Sequence, residues 1–374
     1  MAACEGPLLM NIPDRNGHPS PSRVALYALF LIFAPLVLLA GLELSARALI
    51  AIMYGVPGKS YGIYQPDPVL GHFPEPNTYN HITGLNDVAF RNEEDLIVPK
   101  PPDAERIIVY GGSTTFCPQL ETIECWPAQL QKNLRKIEGG ARHQVLNGGV
   151  VLWSLGHILE RAKRELPIFK PSRVIIYSGF NEKANQHYLK LDGVQLRDLV
   201  AAERYGVASA NYPASQWLSF HSILFKIGRS LMVSGWRHFV QVGNDNAMPA
   251  PKSAAAPEAL KPISAMEANL ITNYEKTLGI LLNLIHDHGA EPIFVIQAST
   301  GGATTRVSRS GAGVACALRV RVIDAQQTVA SYPGPKSDLF VTKIHYNPKG
   351  AKMLAEHIHK SMQKPPLSWC ANQG

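Results

Sequence analysis

The sequence predicts an α/β fold, a parallel sheet covered by helices on both faces. Two observations predict it. From Arg106 onward, short and nearly continuous apolar runs alternate with stretches of helical period, the pattern of strands buried on both sides. Three of those runs end in glycine-containing turns, at Gly111-Gly112-Ser113, Asn147-Gly148-Gly149 and Ser178-Gly179-Phe180-Asn181. In open α/β sheets, ligands gather at the carboxyl ends of the strands.

The elements follow in order. Arg106–Gly111 is the first strand, and its two glycines end it abruptly, lifting Ser113 out of the strand end. Trp126–Ile137 is an amphipathic helix with Trp126, Leu130 and Leu134 aligned. Gln144–Asn147 is the second strand, and Ser154–Phe169 is a helix with Leu155, Ile158, Leu159, Ala162 and Leu166 on one face. Arg173–Tyr177 is the third strand. Residues 183–262 then interrupt the rhythm as an insertion, with Trp217–Val242 fitting an amphipathic helix and Asn244–Pro262 an Ala/Pro-rich loop. Ala265–His288 is a long helix and Pro292–Gln297 the fourth strand. Thr300–Ala315, rich in Gly, Ser and Thr, reads as a surface loop. Val320–Ile323 and Leu339–Val341 are shorter apolar runs, and Pro348–Met362 is the closing helix.

Ahead of this domain, Val24–Leu42 runs 19 residues without a charge, about the length that crosses a bilayer as a helix. The run exceeds the usual apolar core of a signal peptide, so an uncleaved anchor is expected, N-terminus inside. The competing reading is cleavage at Ala46-Arg47-Ala48. The expected organisation is a cytoplasmic segment 1–23, a transmembrane anchor 24–42, a lead-in 43–105 and a domain 106–365. That domain would lie outside the cytoplasm, in the periplasm of a Gram-negative cell. Within the lead-in, Asn86–Arg91 reads as a turn or as a cap on a site.

Composition narrows the function classes. Hydrophobic residues at 46% against 17% charged argue against disorder in a chain of 374 residues. The net charge of +7 comes from dispersed Lys and Arg, with no basic run or motif for nucleic acid. A basic surface facing anionic lipid or glycan fits instead. Five cysteines are too few for a disulfide scaffold. Cys117 and Cys125 flank a short loop and are placed to pair, Cys316 and Cys370 carry no assigned pairing, and free thiols are the expectation. No Asn-x-Ser/Thr sequon with a permissive middle residue occurs, in keeping with a bacterial envelope.

The chemistry resides in the strand-end turns together with His345-Tyr346-Asn347-Pro348-Lys349-Gly350 before the last helix. A parallel sheet brings such strand ends side by side, so residues far apart in sequence converge. Ser113 would attack an ester carbonyl while His345 takes its proton and returns it to the leaving alcohol. The backbone N–H groups of Ser113 and Gly149, with the Asn181 amide, would hold the oxyanion. Glycine at 148 takes the place of Gly149 if the turn is shifted by one. Other motifs fail. The Ser113 turn lacks the Lys and spacing of a phosphate-binding loop and the second glycine of a Gly-x-Ser-x-Gly elbow. His143, His157, His187, His286, His288 and His357 show no metal-ligand spacing. No cofactor or metal is expected, and Glu182 reads as structural.

These blocks together resemble the SGNH, or GDSL-like, hydrolase superfamily in its membrane-anchored bacterial branch. The matching residues are Gly112-Ser113-Thr114, Gly149, Gly179-Phe180-Asn181, and His345 followed by Gly350, over roughly residues 86–362. The Asn-x-x-x-Phe-Arg stretch at Asn86–Arg91 is similar to that branch too. The resemblance implies a three-layer α/β/α sandwich with a flavodoxin-like parallel sheet, a Ser113 nucleophile, a His345 base and an oxyanion hole from Ser113, Gly149 and Asn181. It implies an esterase on an O-acyl substrate, with glycan or lipid as the alcohol. The alternatives are an acyltransferase or deacetylase on envelope polysaccharide, and a binding or scaffold protein of the same fold. One position departs from the family: the Asp expected three residues before the His is Thr342. The candidate partners of His345 are therefore Thr342 and Asp338, the latter about 13 Å from the Thr342 position if the chain between those two is extended.

Overall fold

In the computed structural model the described residues are 21–54, 60–61, 63–67, 69–79, 83–137, 142–182, 222–225, 265–300 and 306–371. The insertion 183–262, with its expected helix Trp217–Val242 and loop Asn244–Pro262, lies almost wholly outside them, as does most of the segment 1–23. The chain divides into two compact units, Met1–Met53 with His221–Gly243, and Tyr54–Phe220 with Asn244–Gly374.

The first unit is built on helix α1, Pro21–Tyr54. Its apolar span, Ser22–Met53, is long and apolar enough to cross a membrane. At 1.5 Å per residue the 34 residues of α1 extend about 50 Å, beyond the roughly 30 Å of a hydrocarbon core. Pro35 lies inside the helix, a placement common in membrane helices. Just past the uncharged run, the Glu43 carboxylate accepts from Ile223 N (2.9 Å), Leu224 N (3.0 Å) and Ser222 Oγ (2.9 Å) and pairs with Arg47.

The second unit holds the sheet. Five parallel strands, β5 (Glu105–Gly111), β6 (His143–Gly149), β7 (Arg173–Tyr177), β8 (Glu291–Ile296) and β9 (Arg321–Asp324), lie in the order β6-β5-β7-β8-β9. That is the 2-1-3-4-5 order of flavodoxin-like sheets, whose direction of winding reverses between the first and third strands. Successive side chains alternate between two cores. Ile108, Tyr110, Val174, Ile176, Phe294 and Ile296 pack under α4 (Leu155–Phe169), α5 (Ala265–Asp287) and α6 (Arg306–Ala317). Ile107, Val109, Ile175, Tyr177, Ile293 and Val295 pack under α3 (Trp126–Ile137), α7 (Gln326–Ala330) and α8 (Pro348–Met362). The result is the expected three-layer sandwich.

The lead-in packs on this sheet as short paired strands, β1 (Ser60–Tyr61) with β4 (Thr78–Tyr79) and β2 (Tyr64–Asp67) with β3 (Gly71–Pro74). One expectation is corrected. Thr300–Ala315 is not a loop throughout, because Arg306–Ala317 forms α6 with Ser308, Gly311, Ala312 and Ala315 buried. These small residues, which read as loop composition, let the helix lie close to α5 and β8. The apolar run Leu339–Val341 forms no strand of the sheet. It covers the end of a 3₁₀ turn, Lys336–Leu339, and a single antiparallel bridge between Phe340 and Tyr346.

Candidate active site

Ser113 stands where β5 ends. Gly112 is extended (φ −88°, ψ −150°), and Ser113 opens α2, a helix of only four residues, Ser113–Phe116. The helix is pinned from several sides. Trp126 Nε1 donates to Thr114 O (3.2 Å), and Gln297 Nε2 donates to Thr114 Oγ1 (3.0 Å) and Tyr177 O (3.2 Å). From the far end of the chain comes His345, whose Nε2 lies 2.8 Å from Ser113 Oγ.

A tight loop delivers the histidine. Phe340 and Tyr346 pair across it and stack with ring centroids 4.5 Å apart. Val341 N donates to His345 O (2.8 Å). Asn347 then caps α8, its Oδ1 accepting from Gly350 N at 2.9 Å. On the other side of the imidazole, Thr342 Oγ1 is 2.9 Å from His345 Nδ1. The same oxygen also accepts from His345 N (3.2 Å) and, weakly, Ile344 N (3.4 Å). Burial holds the imidazole below its ordinary value of 6.5. Asp338 is not placed to help. Its carboxylate is exposed and faces the Tyr332 hydroxyl at 3.5 Å, while its carbonyl holds Asn347.

Asn181 sits at the end of β7, beside Gly112. Its Nδ2 donates to Trp153 O (2.8 Å), which leaves one amide N–H for a ligand. A Cβ placed on Gly112 would fall 2.5 Å from Asn181 Nδ2 and 3.1 Å from Trp153 O. Glycine at 112 is therefore a steric requirement of the amide, not a matter of backbone angle. Glu182, fully buried, ties this loop to α4 by accepting from Leu155 N (3.0 Å). Burial pushes its carboxyl up to about 7, against the pull of backbone N–H groups at Glu182, Leu155, Gly179 and Asn181. His157 has a capping role, its Nδ1 3.0 Å from Ser154 Oγ.

Gly149 packs tightly at the end of β6. Its N–H donates to Asn147 Oδ1 (3.0 Å), and a Cβ there would lie 2.3 Å from Phe116 N. Glycine at 149 thus lets β6 pack against the backbone of α2, and its N–H is already engaged. The shifted alternative, Gly148, gives its carbonyl to buried Arg161 (3.0 Å). The segment bordering Ser113 is the next turn, whose Trp153 carbonyl takes the Asn181 amide. Within it Leu152 has φ +68° and is 54% exposed, an uncommon backbone for a bulky residue. Chain reading missed this turn because no glycine marks it.

Asn86–Arg91, expected as a turn or as a cap on a site, forms the turn and places Arg91 against α2. Asn86 Oδ1 accepts from Val88 N (3.2 Å) and Phe90 N (2.9 Å), so Asn86 makes a turn. Arg91, 1% exposed, then reaches α2 and donates to the carbonyls of Phe116, Cys117 and Leu120. Nothing in its spacing from Ser113 signals that contact.

One cysteine pair departs from the expected free thiols. Cys316 and Cys370 are joined, with Cα atoms 5.7 Å apart, whereas Cys117 and Cys125 are free and buried. Among the described residues, no group of three or more His, Cys, Asp or Glu is placed to hold a metal ion.

No protein-family model matches the chain, and no curated protein does. Solved structures are similar in fold. The psychrotrophic esterase EstA from Pseudoalteromonas sp. aligns at TM-score 0.41 and 12% identity, over 72% of this chain and 100% of its own. TesA aligns at 0.40 and 16%, over 69% and 98%. Axe2, an acetylxylan esterase from Geobacillus stearothermophilus, aligns at 0.40 and 13%, over 70% and 95%.

Proposed function

We propose that the chain is a membrane-anchored serine esterase that cleaves an O-acyl ester outside the cytoplasm. One observation carries this reading: Ser113 Oγ and His345 Nε2 meet at 2.8 Å, although 232 residues apart in sequence. A serine hydroxyl in that contact, at the end of a strand and beside a spare amide donor, is equipped for acyl transfer.

In the first half-reaction Ser113 Oγ bonds to the carbonyl carbon as its proton passes to His345 Nε2. The carbonyl oxygen becomes an oxyanion, stabilised by the Ser113 N–H and the remaining Asn181 N–H. Collapse breaks the bond to the alcohol, which leaves with the proton from Nε2. Water then repeats the sequence on the acyl-serine, releasing the acid and restoring Ser113. Nε2 accepts the serine proton only when Nδ1 carries the ring hydrogen. Thr342 Oγ1 is the acceptor that favours that tautomer, but a hydroxyl also donates, so it selects less strictly than a carboxylate.

Location rests on two features. The span of α1 fits an anchor, and the Cys316–Cys370 bond suits an oxidising compartment. The test uses full-length protein in detergent and a serine-directed fluorophosphonate, which loses fluoride as Ser113 Oγ bonds phosphorus. Labelling of the wild type, and none of Ser113→Ala, is expected. An unlabelled but folded wild type would leave a binding protein. Aryl esters from acetyl to long-chain then define the acyl group. Release into water against transfer to an added oligosaccharide separates hydrolase from transferase.

A further inference from the structure

We propose that Arg91 is a positioning residue for the nucleophile, a buried guanidinium that sets the Ser113 turn by gathering the carbonyls at its far end. The proposal rests on the esterase reading above.

The need for such a residue follows from the size of α2. With four residues, the helix closes one hydrogen bond of its own at the C-terminal end, Cys117 N to Ser113 O at 2.8 Å. Cys117 then turns to φ +55°, and the chain runs inward. None of the carbonyls of Phe116, Cys117 and Leu120 has an intrahelical partner; Cys117 O takes Leu120 N at 3.1 Å and Phe116 O only the Cys125 thiol at 3.8 Å, in a region where Phe116, Cys117 and Leu120 are all buried. Unpaired buried carbonyls are costly, and a turn that left them so would not hold one geometry.

Arg91 meets all three. Its Nη1 donates to Phe116 O and Cys117 O and its Nη2 to Leu120 O, while the guanidinium carbon lies 4.9 Å from the Phe116 ring centroid. The backbone of Arg91 is fixed too, its N–H donating to Asn147 O (3.0 Å) at the end of β6. One residue thereby locks the nucleophile helix to the neighbouring strand end. Only a planar fork with several donors makes three such bonds at once. No carboxylate pairs with Arg91 among the described residues, so the carbonyl dipoles and the Phe116 ring face its charge. The position of Ser113 Oγ, one helical turn from Phe116, depends on that fork. A displacement near 1 Å at a reacting atom costs roughly 10²-fold in rate.

The test compares Arg91→Lys and Arg91→Gln with wild type, all full-length. Lys keeps the charge and Gln keeps a donor, but neither spans three carbonyls. The expected result is a fall in kcat on an aryl acetate of about 10–100-fold in both. KM should stay within about twofold, and fluorophosphonate labelling should slow by the same factor as kcat. A role in folding alone would lower the melting temperature while kcat and labelling per folded molecule stayed within about twofold of wild type, and that would overturn the proposal. Should both variants fail to fold, Phe116→Leu carries the test, because it keeps the carbonyls and removes the ring against which the guanidinium lies. Slower labelling is expected there, and an unchanged rate overturns the proposal. A wild type that does not label at all would count against the esterase reading, whereas labelling insensitive to these changes counts only against Arg91.

Discussion

Thr342 Oγ1 lies 2.9 Å from His345 Nδ1, the ring nitrogen opposite the one that meets Ser113. For the proposed reaction a hydroxyl thus stands where a carboxylate would serve the imidazole, and two consequences follow. It offers no charge to the imidazolium that forms in the transition state, and it leaves the ring tautomer partly unset. Thr342→Asp should raise aryl-ester turnover at least about tenfold, equivalent to ~1.4 kcal/mol. A folded Thr342→Asp with no gain, together with loss of rate in Asp338→Asn, would make Asp338 the partner instead.

The pH profile provides a second reading of the same pair. Burial lowers the His345 pKa below 6.5, and in the proposed reaction the neutral ring is the base. The acid limb of kcat/KM should thus fall below pH 6.5 in the wild type. In Thr342→Asp the new carboxylate favours the charged ring, so the limb should move upward. A limb that stays in place after that substitution would mean that another group sets it.

Asn181 and Gly112 should fail together. Asn181→Ala should lower kcat about 10²–10³-fold with KM little changed, the loss typical of one oxyanion donor. Gly112→Ala should approach that value, because its Cβ would fall 2.5 Å from Asn181 Nδ2 and displace the amide. Full activity in a folded Gly112→Ala would show that the amide can shift at no cost to the reaction.

Glu182 links stability to pH. Its folded pKa is raised to about 7 from 4.5 by burial, so the folded state holds its proton over a window in which the unfolded chain has lost it. Its contribution is complete below about pH 4.5 and is lost as pH rises through about 7. The shift corresponds to a loss on the order of 3 kcal/mol. Melting curves of wild type and Glu182→Gln should diverge across that window, the wild type losing more on the alkaline side. Parallel curves would show that the carboxyl is not buried as described.

The Cys316–Cys370 bond closes a loop with a sequence separation of 54. Its removal in the double serine variant should cost about 2–4 kcal/mol in denaturant melts, with kcat per folded molecule unchanged. Equal midpoints for wild type with and without reductant would show that the bond is absent.

The sequence by itself determined the layered architecture and three corners of the site. Burial on both faces makes strands such as Arg173–Tyr177 apolar past their first residue, and helices such as Trp126–Ile137 carry one apolar stripe, so both are legible locally. Ser113, Asn181 and His345 were legible because each closes or follows a marked turn. Tertiary structure decided the rest. Whether Gly149 offers its N–H depends on Asn147 two residues back, and whether Asp338 reaches His345 depends on how the chain folds between them. The small residues of α6 read as a loop until α5 and β8 lie against them. Arg91 has no local pattern linking it to carbonyls 25–29 residues onward. Its contacts exist only once β5 and β6 pair and bring the turn after one strand beside the lead-in that crosses the other. Local periodicity follows from which faces must be buried, whereas partners across the sheet are set by packing that no stretch of sequence contains.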